Sequence, residues 1–257
     1  MLRIIRSIRI RMKYLDIGIM SCFIILSIIG VVMIYSASMV AASRGSLTNG
    51  VPVEANFFMK RQYIFVILGF ILLLIISMYF NINALKNSNM QKLIVLGTIA
   101  LLFLTLIVGK EINGSKNWIN LGLFSIQTSE FLKLVAIFYL AFILDKLLTN
   151  RRSYQLKNLV PPLSILGLGL VLVLIQGDLG GTLLTLAIIA SILIYSDIKN
   201  KIKLQIFINL GGISGLIPLT GVTLPLLSYG CSSMLSISIA LGSMLAVIRQ
   251  IKKEKFI

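Results

Sequence analysis

The stretch Asn113–Lys133, NGSKNWINLGLFSIQTSEFLK, decides the fold: it is the polar interval between two apolar runs that can each cross a bilayer. It holds the sole tryptophan, Trp118, together with Lys116, Glu130 and Lys133. Lys133 lies within the apolar run FLKLVAIFYLAFIL (131–144), where an unanswered charge costs about 2.5–3.5 kcal/mol on insertion scales. Glu130, three residues earlier, shares a helical face with Lys133 and is placed to answer it. Two roles are open to such a pair: tying helices together inside the membrane, or lining a polar cleft.

Working outward, comparable apolar runs recur along the 257 residues, of which 58% are hydrophobic and 12% charged. An ordinary soluble domain is less apolar and more charged. Runs of about 17–23 residues suit a hydrocarbon layer about 30 Å thick, and only helices or closed barrels satisfy their backbone there. The expected fold is all-α, a polytopic membrane protein of about eight transmembrane helices forming a single domain over residues 1–257. The expected spans are Leu15–Tyr35, Tyr63–Phe80, Leu93–Val108, a fourth ending at Leu148, Leu159–Ile175, Leu183–Tyr195, Leu204–Ile217 and a last one ending at Ile248. Pro161 and Pro162 are read as the start of the fifth span.

The net charge of +16 reports orientation rather than nucleic-acid binding, because the cations are scattered between spans without an aromatic binding surface. With both termini cytoplasmic, the inner segments hold 18 of the 24 Lys and Arg residues, and Lys133 lies in the membrane. Every unusual polar motif then falls on the outer side. There QGDLGG (176–181) makes a tight turn carrying Asp178, and GLIPLTGVTLPLLSYGCSS (215–233) reads as broken helix lining an outward-facing cavity. The chain has no histidine, and Cys22 and Cys231 form no motif, so carboxylates and lysines are left for any catalysis.

At these residues the sequence resembles the SEDS family (shape, elongation, division and sporulation), which includes FtsW, RodA and SpoVE. The landmarks recur in order: YLD and GVVMIYSAS, FFMKRQY, NGSKNWINLGLFSIQTSEFLKL, QGDLGG and GLIPLTGVTLPLLSYGCSS. They occupy residues 14–196 and 204–249, with an internal deletion between them. The resemblance implies a multi-pass protein of the bacterial cytoplasmic membrane, serving division, shape or sporulation. It also implies an inverting glycosyltransferase that polymerises lipid II, an undecaprenyl diphosphate-linked substrate, at the outer membrane face beside a class B penicillin-binding protein. A non-catalytic lipid II binder or transporter, or a scaffold for that penicillin-binding protein, is the alternative.

The family has two further spans joined by a large outer loop that bears its catalytic aspartate, and this chain passes from YSDIKNKIK almost directly to the penultimate span. Asp178 is the first remaining candidate for a catalytic carboxylate and Glu130 the second, although helix capping is an equally ordinary role for Asp178. The substrate-binding candidates are Lys116, Trp118, Gln127, Lys133, Thr220, Ser228, Tyr229, Gly230, Ser232 and Ser233. No cofactor is assigned, and a divalent cation at the diphosphate would have Asp178 and Glu130 as ligands. The chain departs from the family at Thr128 and Gly177, where proline is usual, at Cys231, where glycine is, and at Asn117, near the place of an arginine.

Overall fold

A computed structural model of the chain describes residues 11, 14–45, 50–112, 114–122, 125–149, 156–196, 226 and 229–255. Among these residues there are seven long helices: α1 (Ile17–Ser43), α2 (Phe57–Tyr79), α3 (Ser88–Val108), α4 (Ser129–Thr149), α5 (Leu156–Ile175), α6 (Leu179–Tyr195) and α7 (Cys231–Lys255). Five stretches are long and apolar enough to cross a membrane: α1, α2, α3, Asn158–Ile175 and Cys231–Glu254. The helix α6 is apolar but shorter. The helix α4 is as long as α3, at 21 residues each, yet it carries Glu130, Lys133, Asp145 and Lys146. Glu130 and Lys133 are buried in it, as are Leu132, Ala136 and Leu140, whereas Asp145 and Lys146 toward its other end are exposed. The expected span Leu204–Ile217 lies outside the described residues.

Three local features differ from the sequence reading. The helix α1 continues to Ser43 rather than stopping at Tyr35. The helix α5 begins at Leu156, so Pro161 and Pro162 sit inside it, in the second turn, where each removes one helix hydrogen bond. Between α3 and α4 the chain forms an antiparallel three-stranded sheet, β1 (Lys110–Ile112), β2 (Ser115–Asn120) and β3 (Ser125–Gln127), in the order β1-β2-β3. These strands are too short to reveal alternation, which is why an all-helical reading passed over them.

The chain divides into two compact units, Met1–Ile82 with Thr223–Ile257, and Asn83–Val222. In the first unit α1 and α2 are antiparallel: the Val53 N–H donates to the Ala42 carbonyl at 3.1 Å, and Phe23 stacks on Phe70 with ring centroids 6.1 Å apart. By contrast α2 and α7 run parallel. Phe58 meets Tyr229 at 5.3 Å, Gly69 faces Ser238, Gly242 faces Leu73 and Ile76, and Arg249 donates to the Met78 carbonyl. A Cβ on Gly242 would lie 3.0 Å from the Leu73 carbonyl oxygen, so hydrogen at this position lets the helices approach closely.

Asp16 caps α1, accepting from the Gly18 N–H at 3.0 Å and the Ile19 N–H at 3.3 Å, and pairs with Lys252 at 3.4 Å. The Ile19 N–H leads in holding its carboxyl below the usual value, against some loss of water, and Lys252 adds to it.

The second unit packs α3, α5 and α6 around α4. Leu102, Leu132, Leu140, Leu159, Leu166, Leu170, Ile189 and Leu193 form its core. The sheet docks on the turn that joins α5 to α6: the Lys116 N–H donates to the Gln176 carbonyl at 2.7 Å, and the Ser115 hydroxyl to the Gly177 carbonyl at 2.9 Å.

Candidate functional site

Asp178 is the N-cap of α6 and is 8% exposed. Its Oδ1 accepts from the Gly181 N–H at 2.7 Å. Its Oδ2 accepts from the Ser129 hydroxyl at 2.7 Å, the Asn117 amide at 2.9 Å and the Gln127 amide at 3.0 Å. Hydrogen bonds to an ionised acceptor contribute about 1.5–3 kcal/mol each, so one carboxylate joins β2, β3, α4 and α6. Capping and site assembly are therefore one arrangement. The turn before it requires glycine: Gly177 has φ +81°, and a Cβ there would lie 2.9 Å from the Gly114 carbonyl oxygen. The proline usual at this position in the resembling family fixes φ near −65°, so this turn cannot be built by the usual residue.

One residue beyond Ser129, Glu130 accepts from Lys133 Nζ at 2.6 Å, and the two side chains are 4% and 11% exposed. The pairing expected from their spacing is present, in the first turn of α4. Three oxygens in this layer are buried without a hydrogen-bond partner among the described residues: Asn117 Oδ1, Thr128 Oγ1 and Gln176 Oε1. The other atom of the Gln176 amide is committed to the Leu102 carbonyl at 2.9 Å.

The structure brings Asp178 and Gln127 together and sets Glu130 and Lys133 beside Ser129. Lys116 instead sends its Nζ to the Ile107 carbonyl at 3.2 Å. Trp118 is half-buried at the middle of the sheet, in register with Lys110 on one side and Gln127 on the other. Tyr229, Gly230, Ser232 and Ser233 belong to the other unit, at the start of α7, where the last three are buried. Thr220 and Ser228 lie outside the described residues. Asn117 and Ser129 were not among the expected site residues. Asn117 was visible only as a departure from the family pattern, and Ser129 only as a small polar residue at a helix start.

The donor set around Asp178 does not suit a divalent cation. Oδ2 already faces three N–H or O–H hydrogens, and Glu130 is taken by Lys133. Among the described residues no three of His, Cys, Asp and Glu gather as metal ligands.

A family model described as a cell cycle protein, FTSW_RODA_SPOVE, matches residues 17–202 and 198–253. Stage V sporulation protein E of Bacillus subtilis (strain 168) is 35% identical over 201 residues, covering 76% of this chain and 51% of that protein. The probable peptidoglycan glycosyltransferase FtsW of the same organism is 30% identical over 205 residues, covering 79% of this chain and 48% of that protein. The chain thus spans about half the length of the curated relatives it matches. In fold it is similar to the crystal structure of Thermus thermophilus rod shape determining protein RodA, with TM-score 0.69 and 21% identity over 92% of this chain and 97% of that one. It is likewise similar to a chain of a peptidoglycan synthase complex, with TM-score 0.63 and 19% identity over 92% of this chain and 98% of that one. Helices of membrane-crossing length, the ordered landmarks and the family match along most of the sequence lead to one assignment: the chain is a multi-pass cytoplasmic-membrane protein and belongs to the FtsW/RodA/SpoVE family.

Proposed function

We propose that this chain works in peptidoglycan synthesis as a glycosyltransferase that polymerises lipid II at the outer face of the cytoplasmic membrane, beside a class B penicillin-binding protein. The observation that carries the reading is the buried carboxylate of Asp178, held by four donors inside a segment that matches relatives named as probable peptidoglycan glycosyltransferases. In such a reaction the acceptor hydroxyl forms a bond to the anomeric carbon of the donor sugar. The bond from that carbon to the diphosphate breaks, its electron pair leaves with the diphosphate, and the hydroxyl proton passes to a base. Asp178 is the base in this reading, through Oδ1, which among the described residues takes one backbone donor, from Gly181. The fold similarity to a chain of a peptidoglycan synthase complex supports the partner. Both termini lie in the cytoplasm in this reading, from the distribution of Lys and Arg. The chain is one family domain with an internal deletion, as the two-piece match meeting at residues 198–202 supports.

A second reading, binding of lipid II without turnover, is favoured by one observation: both candidate carboxylates are engaged, Asp178 by its donors and Glu130 by Lys133. The two separate in a gel assay of labelled lipid II with the purified chain, alone and with its penicillin-binding protein, beside Asp178→Asn. Glycan ladders that vanish in the variant are the expected result. Bound lipid II with no ladder from the unaltered chain would overturn polymerisation and leave a binding or scaffolding protein.

A further inference from the structure

Gln62 is 1% exposed, and neither its Oε1 nor its Nε2 has a hydrogen-bond partner among the described residues. Burying an amide this way costs about 1–3 kcal/mol by mutational measures, and a leucine would fill the same place without that cost. Gln62 lies on the face of α2 that packs against α7, two turns before Gly69, which faces Ser238. Two turns before Ser238 on the parallel α7 is Cys231, the first residue of that 25-residue helix. One turn before Gln62, Phe58 packs edge-on against Tyr229. The Gln62 amide therefore faces the opening turn of α7, whose dipole favours negative charge.

Further groups at this end suit an anion. Because α2 and α7 are parallel, both N-termini lie here, and among the described residues the Asn56 side chain at the head of α2 makes no capping bond. Arg61 lies over the Phe57 ring at 4.7 Å and beside the Tyr229 hydroxyl. Burial pushes that hydroxyl up in pKa, so it stays a neutral donor at physiological pH. Ser232 and Ser233 are buried in the first turn of α7. Glu54, which could compete for Arg61, is paired with Lys60 at 2.7 Å.

We propose that this end of α2 and α7 binds a phosphate-type oxyanion carried on a lipid, with Arg61 supplying charge, Gln62 a buried donor and the first turn of α7 a cradle. The choice of a lipid anion rests on the function proposed above, in which a polyprenyl-linked diphosphate reaches the protein from the membrane.

The test is thermal unfolding of the full chain in detergent, titrated with farnesyl diphosphate, farnesol and inorganic diphosphate. Farnesyl diphosphate should raise the Tm and farnesol should not. Gln62→Leu should raise the Tm of the unliganded protein, because an unpartnered amide is replaced by an apolar group, while weakening farnesyl diphosphate at least tenfold. Arg61→Gln should weaken it tenfold with little change in the unliganded Tm. Equal shifts from farnesyl diphosphate and farnesol would overturn the site, and so would parental affinity in both variants. A shift from inorganic diphosphate equal to that from farnesyl diphosphate would overturn the lipid source and leave free phosphate as the ligand. The readout needs no turnover, so a chain that binds in this way but makes no glycan would lose the polymerase reading and keep the site.

Discussion

The Ser129 hydroxyl stands 2.7 Å from Asp178 Oδ2, joining the first residue of α4 to the cap of α6. An ion pair lies one residue further along α4, at Glu130. Asp178 thus shares one hydrogen-bond network with Asn117, Gln127 and Ser129, in which a change at any member should be felt by the rest.

Asp178→Asn replaces one acceptor oxygen by a donor, which must face either the three donors at Oδ2 or the Gly181 N–H. The expected loss is about 1–3 kcal/mol for the group left unsatisfied. Ser129→Ala should cost about 1 kcal/mol. Thermal unfolding in detergent checks both, and parental stability in Asp178→Asn would remove this carboxylate from site assembly.

Breaking the Glu130–Lys133 pair from either side leaves an uncompensated buried charge. Glu130→Gln and Lys133→Met should each cost about 3–5 kcal/mol. The double variant should lose clearly less than the sum. Additive losses in this cycle would mean that the two charges are not energetically coupled.

Gly242→Val drives a side chain toward the Leu73 carbonyl and Ile76, each 3.0 Å from the Cβ position. Backbone cannot yield as a flexible side chain does, so a destabilisation of about 1–3 kcal/mol is expected. Gly97→Ala meets nothing within 4 Å and should be neutral or stabilising, by up to about 1 kcal/mol. The contrast between the two unfolding midpoints is the measurement.

Asp16 has a folded-state pKa below the ordinary value of 3.8. Its contribution is therefore complete above that value and is lost as the pH falls through the lower folded value. Asp16→Asn should lower stability at neutral pH, and the gap from the parent should close on acidification below pH 4 or so. Parallel stability curves from neutral pH down to about pH 3 would show that neither the α1 cap nor Lys252 senses this charge.

The five stretches of membrane-crossing length and the Glu130–Lys133 pair were legible because both depend on local signals, apolar length and a three-residue spacing. The end of α1 was not, because SASMVAAS (36–43) is small and hydroxyl-rich and reads as loop, although its serines bond within the helix, as Ser38 does to the Ile34 carbonyl at 2.7 Å. The prolines of α5 were read as a boundary because sequence shows the missing N–H groups but not the turn of helix before them. Asp178 could be singled out as a carboxylate at a glycine turn. Its partners could not, since Asn117 is 61 residues away and Ser129 is 49. Their meeting is set by the docking of a short sheet whose strands carry no period.

The parallel course of α2 and α7 fixes a parity. Two helices that traverse a bilayer in the same direction are separated along the chain by an odd number of crossings. That count applies to the interval from Tyr79 to Cys231 as a whole. Members of this family that differ in length within this interval can gain or lose crossings only in pairs, or α7 would arrive upside down against α2.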